Sequence, residues 1–405
     1  MKKILSIIAV LACATACIYP YRPDLEDAPE GILVVDGNLV IGEKSTVQIG
    51  TMMSLWPKQT EEDQNMPGFY YARDIFWAGD GPSVQRIWAE DDAGGVYEGT
   101  LDNDEWVTYT MVPYSISLEN APANRQYRLC VQSSDLLYTS DWTRPLAAPV
   151  IKNITFKADK SDVRVNVTLD GGPDDTGYVL LSFDETWRFH TDYYPNYEYD
   201  PVTNSVFERV TNWDRWWCWK TMNSVRIEPV DYTGMSSSTL KDYTVQTFSR
   251  YDGRNHQRYS IRVKARTIDK QTYQFLSHLE ESAESGDNLF TPNPGEITGN
   301  LRCEDEPDRM VLGYVTVALS TSKRVYMDSR YLLTRPLSPY SLVYPLATGN
   351  GGTWAEFYQM GYMPLIENTL PDPDPNYGPY GWGWPSCYDC VAAGGTLERP
   401  DFWED

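Results

Sequence analysis

The sequence predicts a mainly β protein in three parts. These are an immunoglobulin- or fibronectin-like sandwich over 32–148, a larger β domain over 149–330 with one inserted helix at 270–285, and a loop-rich tail over 331–405 wrapped on that domain. Three observations lead there. Short runs of apolar residues alternate with polar ones between clusters of Gly, Pro, Asn and Asp, which is the period of half-buried strands. A single stretch carries a convincing helical period. Beyond Tyr331 the composition shifts to Pro, Gly and aromatic residues, which only wrapping can bury. A chain of 405 residues is long enough for two or three cores.

In chain order, residues 1–16 read as a signal peptide: Lys2 and Lys3, an apolar run over 4–12, then the small residues Ala14, Thr15 and Ala16. That run is shorter than the roughly 20 residues a spanning helix needs. Cys17 follows directly and is expected to be lipidated through its sulfur with palmitate-type acyl chains. Cys13 is the competing position. Residues 17–31, rich in Pro and acid, form the tether, and Asp24, Glu26 and Asp27 fit an acidic surface-export signal.

Strand-like runs follow at 32–40, 46–52, 83–89, 96–100, 115–118, 127–131 and 137–139, with a long insertion at 56–79. Gly94 and Gly95 mark a hairpin loop. Pro122 followed by Tyr127 resembles the last hairpin of an immunoglobulin-like domain. After a linker at 145–149, further strands are expected at 154–157, 163–169, 177–186, 224–229, 243–248 and 258–265, and the series closes at 311–320 and 324–327. Between Trp187 and Trp219 the sequence reads as an aromatic-dense loop. The helix takes Asp269 as its cap, with Tyr273, Phe275, Leu276, Leu279 and Ala283 on one face and Gly286 as its stop. Leu289, Phe290, Pro292 and Pro294 then hold an extended follow-on, so helix and follow-on read as a plug on a sheet.

The run 178–187 (YVLLSFDETW), Cys218-Trp219, 259–263 (YSIRV), Gly313-Tyr314, Cys387-x-x-Cys390, Gly394-Gly395 and 400–403 (PDFW), in that order around the helix, resemble the bacterial lipoprotein family of domain of unknown function 4249. The resemblance extends over essentially the whole chain after the leader. It implies a lipid-anchored protein of the outer membrane, at the cell surface. Members are often encoded beside TonB-dependent receptors, so it also implies a nutrient-uptake accessory with such a receptor as partner.

Chemistry motifs are sparse. Lys and Arg total 34 against 57 Asp and Glu, for a net charge of -23, which opposes nucleic acid as a partner. His190, His256 and His278 are too scattered for a two-histidine metal motif, and no nucleophile elbow or phosphate loop is present. No cofactor and no catalytic residue is assigned. Asp184-Glu185 could be drawn as the site of a surface hydrolase. Neighbours on a strand point to opposite faces, however, and acids in so acidic a chain are expected to be exposed. Of seven cysteines, five remain once Cys13 and Cys17 are set aside. Cys130 reads as a buried thiol. Cys387 and Cys390 are expected to take part in a disulfide pinning the tail, with a zinc site that recruits Cys218 or Cys303 as the alternative. Tyr193, Tyr194, Tyr197, Trp213, Trp216, Trp217, Tyr380, Trp382 and Trp384 are the candidate surface for a nutrient, peptide or glycan ligand or for a partner. The alternative is that these rings only pack. The expected role is non-catalytic capture or gating for a TonB-dependent transporter, with an adhesin or a hydrolase as alternatives.

Overall fold

A computed structural model describes residues 32–51, 83–102, 111–224, 228–235, 238–255, 257–285, 299–327, 342–346, 353–368 and 378–404. The leader, Cys17, the tether, the 56–79 insertion, His256 and the 289–295 follow-on lie outside them. The protein is mainly β, as its alternating runs require.

The first strands are β1 (Leu33–Ile41), β2 (Lys44–Thr51), β3 (Val84–Asp91), β4 (Val96–Leu101), β5 (Met111–Ser117), β6 (Tyr127–Ser133) and β7 (Leu136–Ser140). β1, β2 and β5 form one sheet and β4, β3, β6 and β7 the other. β4 joins them: Val96 to Glu98 pair with β3, and Gly99 to Leu101 pair with β5. Leu39, Ile49, Ile87, Ile116 and Leu129 fill the space between the sheets. At the entry to β6 the Tyr127 hydroxyl donates to the Pro122 carbonyl at 2.6 Å, forming the tyrosine corner of such sandwiches.

The same arrangement returns in β8 (Val150–Ala158), β9 (Asp162–Asp170), β10 (Tyr178–His190), β11 (Tyr197–Asp200), β12 (Ser205–Glu208), β13 (Trp217–Asn223), β14 (Glu228–Asp231), β15 (Thr239–Ser249) and β16 (Arg258–Thr267). Strands β15, β9 and β8 form a sheet facing β13 and β14, β10, β16 and the second half of β18 (Val311–Met327). Three strands again face four, because β13 and β14 lie end to end along one edge of β10 and count as one strand position. The two sandwiches therefore share one strand order, and the second carries insertions at two of its connections.

The second of these insertions reaches the first sandwich. It contains α1 (Lys270–Ser285), β17 (Leu301–Cys303) and the first half of β18. Val311 to Leu319 run parallel to β1, and Ser320 to Met327 run antiparallel to β16, so one strand serves both sheets. β17 pairs with β7 at the other edge of the first sandwich. The physical reason is edge coverage: the parallel partner and the short β17 pair two strands whose backbone would otherwise be open. Gly313 permits the join, at φ 128°, where a Cβ would lie 1.8 Å from the Val35 carbonyl oxygen.

Helix α1 has the expected cap, with the Thr272 N–H donating to Asp269 Oδ1 at 2.7 Å. Tyr273 stacks near Tyr178, and Phe275 lies 4.8 Å from Tyr314, so the apolar stripe docks on strands of both sandwiches. The loop between Trp187 and Trp219 is largely structured: β10 runs on to His190, β11 and β12 pair as a hairpin, and β13 starts at Trp217. The tail adds β19 (Leu342–Val343), α2 (Trp354–Gln359), β20 (Met363–Glu367) and β21 (Tyr380–Gly383), with β21 central in a small sheet. Tyr199 of the hairpin packs on Trp354 and Trp382, forming a third, aromatic core. The capping box Thr353…Glu356 that starts α2 is legible in sequence but was not part of the expectation of a single helix.

Candidate functional site

Strand registers place a cationic and aromatic grid on the outer face of β13, β10, β16 and β18. Side chains alternate across a strand, so Asp184, Thr186, Arg188 and His190 face outward while Phe189 and Trp187 enter the core. Across the sheet one row reads Asn223, Asp184, Arg262 and Arg324, and the next reads Thr221, Thr186, Ser260 and Tyr326. A third reads Trp219, Arg188 and Arg258, and His190 faces Trp217 beyond it.

Within the grid, Asp184 accepts from Arg262 Nε at 2.6 Å and also from Arg324, whose guanidinium lies 3.7 Å from the centre of the Phe402 ring. The Arg188 guanidinium sits between the Trp217 and Trp219 rings, at 5.0 and 5.1 Å. His190 continues the stack, 4.8 Å from Trp217 and 5.0 Å from Trp216, and its Nδ1 lies 2.7 Å from the Thr191 carbonyl oxygen. Tyr194 meets Trp216 edge-on at 5.4 Å. Arg258 lies over the Tyr326 ring at 4.6 Å. Such stacks hold cations by the ring quadrupole while leaving their N–H groups free to donate.

The opposite face of β10 holds a buried counterpart. Glu185, 2% exposed, accepts from the Tyr259 hydroxyl at 2.8 Å and from Arg254 Nε at 3.0 Å. Arg254 lies 4.5 Å from Trp187 and 5.6 Å from Phe248. Burial, reinforced by the neighbouring Glu185 carboxylate, pushes the Tyr259 hydroxyl well above its ordinary range. Asp184 and Glu185 thus lie on opposite faces, but neither is exposed; the expectation of exposed acids fails because each is compensated by arginines that the linear sequence does not associate with it.

The predicted aromatic surface divides. Tyr193 is buried with Leu342, Leu365 and Tyr388, and Trp382 is buried in the aromatic core; these two clusters and the small sheet between them make up the third module. Trp213 donates from Nε1 to the Tyr388 carbonyl at 2.8 Å, and its backbone N–H donates to the Tyr194 hydroxyl. Tyr197 packs on Tyr380. Trp384 is 49% exposed and contacts Tyr362, and it is joined on the same module by exposed Tyr358 and Met360, which sequence reasoning missed. Their position in the last turn and at the C-cap of the capping-box helix was the available signal.

Cys390 bonds to Cys218, and Cys387 stands outside that bridge. The tail is therefore tied to β13 of the second sandwich, a pairing across the chain in place of one within the C-x-x-C. With Cys218 so engaged and Cys303 in the first core, no group of three or more potential metal ligands occurs among the described residues. Burial pushes the Cys130 thiol up to about 12. Farther along, Thr396 exchanges both backbone hydrogen bonds with Trp219, and the Tyr326 hydroxyl donates to the Phe402 carbonyl, so the C-terminal segment is anchored at both ends of the grid. A separate polar cleft of about 360 Å³ lies where the sandwiches meet, lined by Trp142, Asp269, Thr272, Asn300, Tyr314 and Thr316.

No curated protein matches the chain. A family model, described as a domain of unknown function, matches residues 18–324, which takes in both sandwiches and ends within β18. The motifs at Cys387, Gly394 and Pro400 lie beyond that match, so the family extent is narrower than the whole-chain resemblance implied. The match covers most of the sequence, and the chain belongs to the DUF4249 family.

Proposed function

We propose that this chain is a lipid-anchored protein of the outer membrane, displayed at the cell surface, that captures or gates a nutrient for a TonB-dependent transporter without catalysing a reaction. The observation that carries this reading is the outward grid of stacked arginine, tryptophan and tyrosine on the second sandwich, together with the exposed Tyr358, Met360 and Trp384 of the tail. Exposed aromatic, methionine and arginine side chains are the groups that anchor recognition surfaces. Support for the setting comes from the leader ending at Cys17 and from the neighbours that the family resemblance implies. A lipid at Cys17 would confine the protein to the membrane plane and raise its effective concentration near a barrel.

Affinity purification of the tagged protein in mild detergent, followed by mass spectrometry, tests the reading. A TonB-dependent barrel is expected in stoichiometric amount, with acyl mass on a chain starting at Cys17. No barrel, together with unchanged nutrient uptake after gene deletion, sinks it. Tandem sandwiches favour one competing reading, an adhesin, which predicts cell attachment without any transporter.

A further inference from the structure

The grid contains an arrangement that its own energetics oppose. Arg188 and Arg258 are direct cross-strand partners on β10 and β16. Like charges placed opposite each other destabilise a sheet, and a chain with net charge -23 has acids in plenty to separate them. The next charged row is compensated, since Asp184 is shared by Arg262 and Arg324. Among the described residues neither Arg188 nor Arg258 has an ion-pair partner, and buried Arg188 Nε has no hydrogen-bond acceptor. Buried donors in folded proteins are nearly always satisfied, so such an orphan calls for a ligand or water. Both side chains are partly open to solvent. Outward-facing Lys264 adds another cation to the same strand.

We infer that Arg188 and Arg258 form the anion-binding centre of a site for an acidic glycan, a chain of uronic acid sugars. This deepens the capture reading above and rests on it. The guanidinium pair supplies donors for a sugar carboxylate in the fork geometry that carboxylates prefer. Trp217 and Trp219, half-buried on either side of Arg188, supply ring surface for the apolar faces of the sugars. Charge complementarity argues for this occupant over a neutral glycan, since the acidic remainder of the chain repels anions and leaves this face as their place of entry.

The experiment is calorimetric titration of the purified full chain with a short oligogalacturonate, the neutral oligogalactose of equal length, and inorganic polyphosphate. Binding of the oligogalacturonate alone is expected, with affinity falling as salt rises. Arg258→Gln should weaken it by roughly tenfold or more while leaving thermal stability equal or raised, because the substitution removes a repulsion. A purely structural arginine would show the opposite pattern. Arg164→Gln, on the other sheet, should leave binding unchanged. Equal binding of the neutral glycan, binding of polyphosphate alone, or full affinity in Arg258→Gln overturns the assignment. A chain that copurifies with a barrel but ignores oligogalacturonate loses only the ligand class; one that binds the glycan without a barrel loses only the transport reading.

Discussion

The two sandwiches share a strand order, and they differ in what each builds at the same place. In each, a tyrosine stands at or next to the first residue of the strand after the fifth: Tyr127 in β6 and Tyr259 in β16. The hydroxyl of Tyr127 closes a local corner on Pro122, whereas that of Tyr259 donates to the buried Glu185 on a neighbouring strand. Among the described residues, the edges of the first sandwich are completed by β17 and β18. The second holds the buried Glu185–Arg254 cluster inside, the arginine grid outside, and the hairpin and helix insertions at two of its connections. One architecture can thus carry two different outer faces, because loops and outward faces vary without cost to the core.

The largest expected difference lies in the buried charges. Arg254→Ala leaves Glu185 without its cation and should destabilise the second sandwich by about 3–5 kcal/mol. Tyr127→Phe in the first should cost only about 1 kcal/mol. Hydrogen exchange of β9 and β15 against β1 and β2 reads the two separately. Comparable losses from both substitutions would erase the contrast.

Next comes the tail. Cys218→Ser opens the bridge to Cys390 and should cost about 2–5 kcal/mol. Limited proteolysis should then cut near 385–395 while the first sandwich keeps its protection. An uncut tail would show that aromatic packing alone holds the third module.

A smaller effect tests whether the sandwiches are independent. Asn300 clamps one residue of β18, accepting from the Val315 N–H at 2.8 Å and donating to the Val315 carbonyl at 2.9 Å. Asn300→Ala should cost about 1–3 kcal/mol. The loss is expected in β1, far away in sequence. Protection lost only around β16 would make the shared strand passive.

The smallest effect separates the two first turns. The β1–β2 turn uses Gly42 at φ 93°, whereas the β8–β9 turn is held by the exposed Asp159 carboxylate. The backbone N–H groups of Asp162 and Ser161, with the Ser161 hydroxyl and Arg164, hold its acid constant down to about 2. A depressed folded value means that the carboxylate's stabilisation is complete above the unfolded value of 3.8 and is lost as pH falls toward about 2. Carbon-detected titration of Asp159 should show that midpoint; a midpoint near 3.8 would mean the turn holds without its side chain.

Much of the scaffold was legible. Alternation at 163–169 and 258–265 marked β9 and β16, and the Asp269 cap with its three- and four-residue spacing marked α1. Pro122 before Tyr127 marked the last hairpin, β6 and β7, while the corner itself appeared only in the structure. Signals of this kind are local, arising within about a turn or a strand length. The site was only partly legible. Trp216 and Trp217 were singled out as surface, but Arg188, Arg258 and Trp219 were not, because a cross-strand pair joins residues whose separation leaves no periodic trace. Trp382, chosen for exposure, is wholly buried, since a Gly-rich aromatic run reads alike on a surface and in a small core.

By itself, then, the sequence determined the β class, the capped helix, the acidic balance and the candidate lipid attachment, all of which follow from composition or from short-range periodicity. Only the tertiary structure decided that β18 serves two sandwiches, that Cys390 reaches Cys218, and that Glu185 and Asp184 each find arginines on different faces. Those outcomes depend on which distant segments are brought into register, and register is set by the packing of a whole core face rather than by any residue's immediate neighbours.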